Sequence, residues 1–194
     1  MKKIRIYPPI QLKKPKAGQL LIAEPLLNDD YFTRAVILLC EHSNEGSVGF
    51  VLNQPSDFEL QDLLKDIAEK SHVVFKGGPV QDNTLHMLHR IPAILGAGLK
   101  IADDIYWGGS FDELGDSRPK SVDSKNDLRL FLGYSGWAPG QLENELKEGT
   151  WLVANATDEI VFDTRHEDIW KKSISLLGEK YSYLAHIPTD PQLN

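Results

Sequence analysis

The chain has no long hydrophobic run, one cysteine, two methionines and no internal repeat. Its longest uninterrupted apolar stretch, Ala35 to Cys40, falls far short of the roughly 20 residues of a spanning helix, so no membrane segment is expected. The first 16 residues, MKKIRIYPPIQLKKPK, are basic but have neither the continuous apolar stretch nor the small-residue cleavage site that secretion requires. Cys40 has no partner for an internal disulfide, which agrees with a reducing compartment. The cytoplasm is the expected location.

Positive charge is scarce outside that amino-terminal segment. Of 21 Lys and Arg, six (Lys2, Lys3, Arg5, Lys13, Lys14, Lys16) lie in the first 16 residues, where there is no acid. Residues 17–194 are left with 15 bases against 28 acids, a net charge of −13 in a chain of net −7. Such a body repels phosphate backbones at long range, so direct nucleic-acid binding by a broad face is not expected. Only the tail is suited to nucleic acid or an anionic membrane; its plainer reading is a solvated segment with a short edge strand at Ile4 to Tyr7.

What is present is an ordinary globular composition, 41% hydrophobic and 25% charged over 194 residues. One core and one domain follow from that size. We read residues 1–17 as a basic extended leader, kept open by Pro8, Pro9 and Pro15, and residues 18–194 as a single domain. Strands are expected at Gln19–Ala23, Ala35–Cys40 and Val48–Leu52, the last two forming a hairpin across Ser43-Asn44-Glu45-Gly46. Ser56 and Glu59 have capping-box spacing ahead of Leu60, Leu63, Leu64, Ile67 and Ala68, which repeat at helical intervals. Short strands are expected at Val73–Phe75, Leu85–Leu88, Gly96–Ile101 and Ile105–Trp107, and a polar loop at Gly115–Asn126. Leu128–Tyr134 reads as a central strand covered on both faces. A helix opening at Pro139, a strand at Thr150–Ala154 and a last helix capped by Thr164 and Glu167 and ended by Gly178 complete the series. Strand and helix do not alternate regularly, which selects α+β over α/β.

Several segments carry a resemblance. They are Gly18-Gln19-Leu20-Leu21-Ile22-Ala23, Pro25, Phe32 with Arg34, Leu38-Leu39-Cys40-Glu41-His42, Gly46, Gly49, and Asn53 with Pro55. Further on are Gly77-Gly78-Pro79-Val80, Phe131-Leu132-Gly133-Tyr134-Ser135-Gly136-Trp137 and Pro139-Gly140-Gln141-Leu142-Glu143. Together they resemble the bacterial YqgE/AlgH family, from Gly18 to about Leu177. The resemblance implies a compact α+β domain whose mixed, bifurcated β-sheet curls into a pseudo-barrel with flanking helices. It also brings a transcriptional-regulator label, but no catalytic residues to transfer, and no helix-turn-helix pattern stands in this chain.

The most informative candidate is Trp137-Ala138-Pro139-Gly140-Gln141-Leu142. No Ser, Thr, Asp or Asn precedes this helix start, so its first amides need another partner. Gly140 lets a ligand approach the backbone, with Gln141 beside it and Trp137 as a wall; the plainer reading is that the chain itself or water fills the place. Arg34, His42 and Asn53 close the two ends of the first hairpin and are expected to converge on one pocket, Arg34 as a bidentate anion clamp, against the plainer reading of turn-stabilising hydrogen bonds. Gly77 and Gly78 offer exposed amides to an anion but lack the Lys and Ser/Thr of a phosphate loop, and turn geometry is the simpler reason for them.

Other constellations are weaker. Gly133-x-Ser135-Gly136-Trp137 lacks the glycine two places after the serine that a nucleophile elbow requires. Cys40 and His42, two apart on a strand, share a face, which would allow thiol chemistry; a buried inert thiol is the plainer reading. His86 and His89 face opposite ways if their segment is a strand, so no metal and no cofactor are expected. Asp103, Asp104, Asp112, Glu113 and Asp116 read as solubilising charge. The sequence thus favours a non-catalytic module that binds a small anionic ligand or a protein partner. The alternatives are an enzyme built on Glu143, Cys40 or His42, or a transcriptional regulator acting through DNA, by way of residues 1–16, or through a DNA-binding partner.

Overall fold

A computed structural model describes residues 14–64, 72–92, 98–114 and 124–188. Among them ten strands run in chain order: β1 (Gln19–Ala23), β2 (Val36–Ser43), β3 (Gly46–Val51), β4 (Pro55–Glu59), β5 (Val73–Lys76), β6 (Val80–His89), β7 (Leu99–Ala102), β8 (Ile105–Trp107), β9 (Leu128–Trp137) and β10 (Trp151–Asn155). The helices are α1 (Leu60–Leu63), α2 (Ser124–Asp127), α3 (Gln141–Glu148) and α4 (Ile169–Ser175), with a π-helical turn at Glu159–Asp163 and a 3₁₀ segment at Glu179–His186. The fold is α+β, a curled sheet that makes a half-barrel. Its main path runs β10-β1-β2-β3-β9-β6-β8-β7.

One strand organises this sheet. The carboxyl end of β9 pairs with β3, Ser47 opposite Trp137, while its amino half pairs in parallel with β5, Val74 opposite Leu130. Along its other edge lies β6. The sheet therefore forks, and the fork sits on Gly77: its N–H donates to Leu132 O at 2.8 Å, and its carbonyl accepts Val51 N–H at 2.9 Å. A Cβ on Gly78 would stand 2.1 Å from the Tyr134 carbonyl carbon, so only glycine fits.

Both faces of the first strands are buried, which is why β1 reads as continuous apolar residues rather than an alternation. Leu20, Ile22, Leu38 and Phe50 pack with Ile169, Trp170 and Ile174 of α4 on one face. On the opposite face, Leu21, Ile37 and Leu39 meet Leu142 and Leu146 of α3. Each leucine so buried contributes about 1.5–3 kcal/mol.

The structure departs from the sequence expectations where local capping patterns had competitors. Residues Pro55–Glu59 form a strand, and the capping box belongs to Glu59 and Asp62; Ser56 Oγ instead accepts Phe58 N–H. Pairing with β5 outweighs the helical spacing there. Gly140, at φ +75°, is the residue that caps α3, so Pro139 precedes the helix rather than opening it. Thr164 does not cap α4; its hydroxyl donates to Glu159 O and closes the π-helical turn. Residues 124–126, expected in a loop, begin α2, and the chain resumes helical structure after Gly178. The expected features at Ile4–Tyr7, Ile67 and Ala68, Gly96 and residues 115–123 lie outside the described residues.

Candidate functional site

Arg34 and His42 stand at opposite ends of β2, separated by about 26 Å of strand at roughly 3.3 Å per residue. The expected convergence of Arg34, His42 and Asn53 does not form. A hairpin brings its two termini together and its turn to the far end, so Asn53 joins Arg34 while His42 joins Ser47.

The Arg34 end holds a built cavity. Arg34 has a left-handed backbone, φ +58°, a conformation disfavoured for a residue with a Cβ. Asn53 holds it there: its Oδ1 accepts Val36 N–H at 2.9 Å and its Nδ2 donates to Arg34 O at 2.9 Å. The guanidinium lies over the Trp170 ring, 3.9 Å from its centroid, and donates to Ile187 O. Trp170 is itself fixed, with its indole N–H given to Ala23 O at 2.9 Å. Around Arg34 opens a cavity of about 630 Å³, lined also by Asn53, His166, Lys171 and His186. Among the described residues no carboxylate lies within salt-bridge distance of Arg34, and its Nε is buried without a hydrogen-bond partner. Burial lowers the Arg34 pKa. Glu167 on the rim pairs with Arg165 at 3.3 Å.

A second cation stands one ring behind this cavity. Arg129, 7% exposed, donates to Leu52 O at 2.7 Å and Thr164 O at 3.3 Å, and lies 4.6 Å from the Phe75 centroid. Phe75 in turn meets His166 edge-on at 6.0 Å. Burial without an acid beside it brings the Arg129 pKa down to about 10. Sequence reasoning missed Arg129, because a single arginine inside a strand read as apolar and covered on both faces belongs to no motif. It also missed Lys171 and Trp170, whose relation to Arg34 is purely tertiary.

At the far end, His42 Nδ1 is 2.8 Å from Ser47 Oγ and its Nε2 is 3.6 Å from Glu143. Trp137 lines a neighbouring open cavity of about 390 Å³ together with Glu41, Glu45 and Tyr134. Neither Gly140 nor Gln141 lines it. The helix start is partly closed by its own chain: Gln141 N–H donates to Ala138 O at 3.0 Å, and Gln141 Oε1 accepts Ala138 N–H at 3.0 Å. Glu145 completes the corner, accepting the indole N–H of Trp137 at 2.8 Å and of Trp151 at 2.7 Å. Gly77 and Gly78 lie within the fork of the sheet, where backbone approaches backbone.

The remaining candidates are placed separately. A β-bulge between Leu39 and Glu41 interrupts the alternation, so Cys40 and His42 do not share a face as expected. Cys40 is buried with α4 and its thiol pKa is pushed up by burial; Glu143 and His42 meet on the α3 side. Ser135 is 1% exposed and donates to Gly77 O at 3.1 Å, a structural role. His86 sits among Phe50, Trp107 and Tyr134, and His89 stacks on Tyr106 at 5.6 Å. Burial lowers the pKa of both rings. Among the described residues no three His, Cys, Asp or Glu gather at metal-binding distance.

Comparison with known proteins matches this architecture. A UPF0301 protein of Chlorobium luteolum is 39% identical over 184 residues, 95% of this chain and 97% of the relative. One of Cytophaga hutchinsonii is 38% identical over 178 residues, covering 91% and 98%. The solution structure of AlgH from Pseudomonas aeruginosa superposes with a TM-score of 0.67 at 28% identity, over 87% of this chain and 93% of that one. A crystal structure from Corynebacterium diphtheriae, at 22% identity and a TM-score of 0.71, shares the fold over 89% and 93%. With the AlgH-like family model matching residues 20–182, the chain belongs to the AlgH-like, UPF0301 family.

Proposed function

We propose that this chain is a non-catalytic binding module that holds a small anionic ligand in the cavity over Arg34. One observation carries the reading. Two guanidinium groups, Arg34 in the wall and Arg129 behind it, are bonded to backbone carbonyls, with no carboxylate at salt-bridge distance among the described residues. A cation as deeply buried as Arg129 costs several kcal/mol unless an opposite charge compensates it, and half-buried Arg34 carries a smaller cost of the same kind. In a chain of net −7 the omission of a nearby acid is notable, and a bound anion supplies the missing charge. The stack on Trp170 and the strained Arg34 backbone hold the donor group in place before a ligand arrives.

The reading moves the site from the Trp137–Gln141 helix start to the other end of the first hairpin. A module of this kind acts by occupancy, so the role we assign is regulatory and cytoplasmic. A protein partner, rather than DNA, reads the bound state, since the acidic body opposes phosphate backbones. Titration calorimetry of the full chain against a panel of small oxyanions tests the proposal, with Arg34→Ala and Gln141→Ala as variants. Binding that Arg34→Ala removes and Gln141→Ala leaves intact is expected. No heat from any oxyanion, or equal binding by Arg34→Ala, ends the proposal.

A further inference from the structure

We infer that the ligand of the Arg34 cavity is a doubly charged oxyanion carrying a short apolar group, the chemistry shared by an organic phosphate monoester and a small dicarboxylate. This rests on the anion reading above and adds the ligand's valence and shape. Valence comes from the charges that face the space. Arg34 and Lys171 line it, and neither has an ion-pair partner among the described residues. The acid in the lining, Glu167, is shared by Arg165 at 3.3 Å and His166 at 3.7 Å, while the neighbouring Lys172 is paired with Glu159 at 3.3 Å. Asp168, exposed at the start of α4, also acts on Arg165. Glu24, the buried carboxylate after β1, accepts Leu26 N–H at 3.4 Å and does not line the cavity. Two cations therefore face the cavity unneutralised, and Arg129 behind Phe75 adds a third positive field. One negative charge on a ligand leaves that set unbalanced, and two match the lining.

Shape comes from the apolar part of the lining. Ala185, Ile187 and Pro188 add apolar surface to it, Ile187 directly beside Arg34, and the rings of His166 and His186 line it as well, His166 Nε2 standing 3.7 Å from Glu167. At about 630 Å³ the cavity falls in the roughly 300–1,000 Å³ range of sites for organic molecules, far beyond what a bare oxyanion fills. The guanidinium presents its plane with one face already on Trp170, which suits in-plane hydrogen bonding to a planar or tetrahedral oxyanion head.

Calorimetry at low ionic strength, pH 7.5, with the full chain and four probes tests the inference: phenyl phosphate, succinate, benzoate and inorganic phosphate. Phenyl phosphate is dianionic there and benzoate is not. At least about tenfold tighter binding of phenyl phosphate or succinate than of benzoate is expected, and whichever dianion is tighter tells phosphate from dicarboxylate. Phenyl phosphate should also exceed inorganic phosphate by about tenfold, through the apolar wall. Lys171→Gln, at an exposed position that leaves folding intact, should reduce the preference for dianions to within about threefold of benzoate. Benzoate binding as tightly as the dianions, or a preference unchanged in Lys171→Gln, overturns the inference and leaves the anion reading standing. Equal affinity for inorganic and phenyl phosphate removes the apolar group from it. If none of the four binds, the anion reading itself falls.

Discussion

Replacing Asn53 by alanine probes the support under Arg34. Two hydrogen bonds are lost, each 2.9 Å long, from Val36 N–H to Oδ1 and from Nδ2 to Arg34 O. A net worth of about 0.5–1.5 kcal/mol apiece gives a loss of about 1–3 kcal/mol. The turn bond from Ala35 N–H to Phe32 O and the contacts of the guanidinium with Trp170 and Ile187 O remain, but Arg34 at φ +58°, a conformation costing about 1–2 kcal/mol for a residue with a Cβ, has lost its side-chain brace, so the turn relaxes and loosens the guanidinium on Trp170. Stability and oxyanion affinity should therefore fall together. Urea denaturation reads the first; in a domain of this size about 2 kcal/mol also lowers Tm by roughly 4–8 °C. Calorimetry with phenyl phosphate reads the second, with a tenfold or greater weakening expected. Asn53→Asp separates the two bonds: it keeps the acceptor for Val36, loses the donor to Arg34 O, and sets a carboxylate in the cavity. It should be the more stable of the two variants and the weaker binder. An Asn53→Ala protein within about 0.3 kcal/mol of the parent, binding phenyl phosphate equally well, would refute the reasoning.

Three further expectations follow from the fold. Gly78→Ala meets rigid backbone at 2.1 Å and should cost more than about 4 kcal/mol, whereas Gly140→Ala, at φ +75° with nothing within 4 Å, should cost about 1 kcal/mol; urea midpoints compare them. Glu145→Ala strands the indole N–H groups of Trp137 and Trp151 and should cost about 2–4 kcal/mol, with a changed near-ultraviolet circular dichroism spectrum; an unchanged spectrum would contradict the shared carboxylate. His89 is buried with its pKa lowered, so the unfolded state binds the proton first and stability falls as pH drops below about 6.5. The loss is up to about 1.4 kcal/mol per pH unit until the folded ring titrates, and His89→Gln should flatten that slope in urea midpoints taken from pH 7.5 to 5.5.

Much of the sheet was legible because its strands carry their own signal. Gln19–Ala23 and Ile105–Trp107 fall where apolar runs and turn residues put them, and the β2–β3 hairpin follows from Gly46 and its polar neighbours. Ser56 and Thr164 misled because a capping pattern is local and cheap to satisfy elsewhere, in one case by its own turn and in the other by Glu159 O. The site was half legible. Arg34 and Asn53 stood out as polar residues bounding a hairpin, but which end a residue occupies depends on strand direction. The bulge at Cys40, which separates it from His42, leaves no mark in residue type. Arg129, Trp170 and Lys171 reach Arg34 only through the return of the chain more than 90 residues later, a relation no window of sequence contains.

The strand that carries the fork also sets the order in which the molecule can be completed on the ribosome. β3, β5 and β6 all leave the exit tunnel before Leu128–Trp137, which pairs with all three, and β1 waits still longer for Trp151–Asn155 to cover its outer edge. A nascent chain stopped near residue 125 thus holds the β1–β2–β3 meander and separate β4–β5 and β6–β8–β7 ribbons instead of a joined sheet. Completion comes late and all together, which makes truncation from the carboxyl side ruinous to the whole protein.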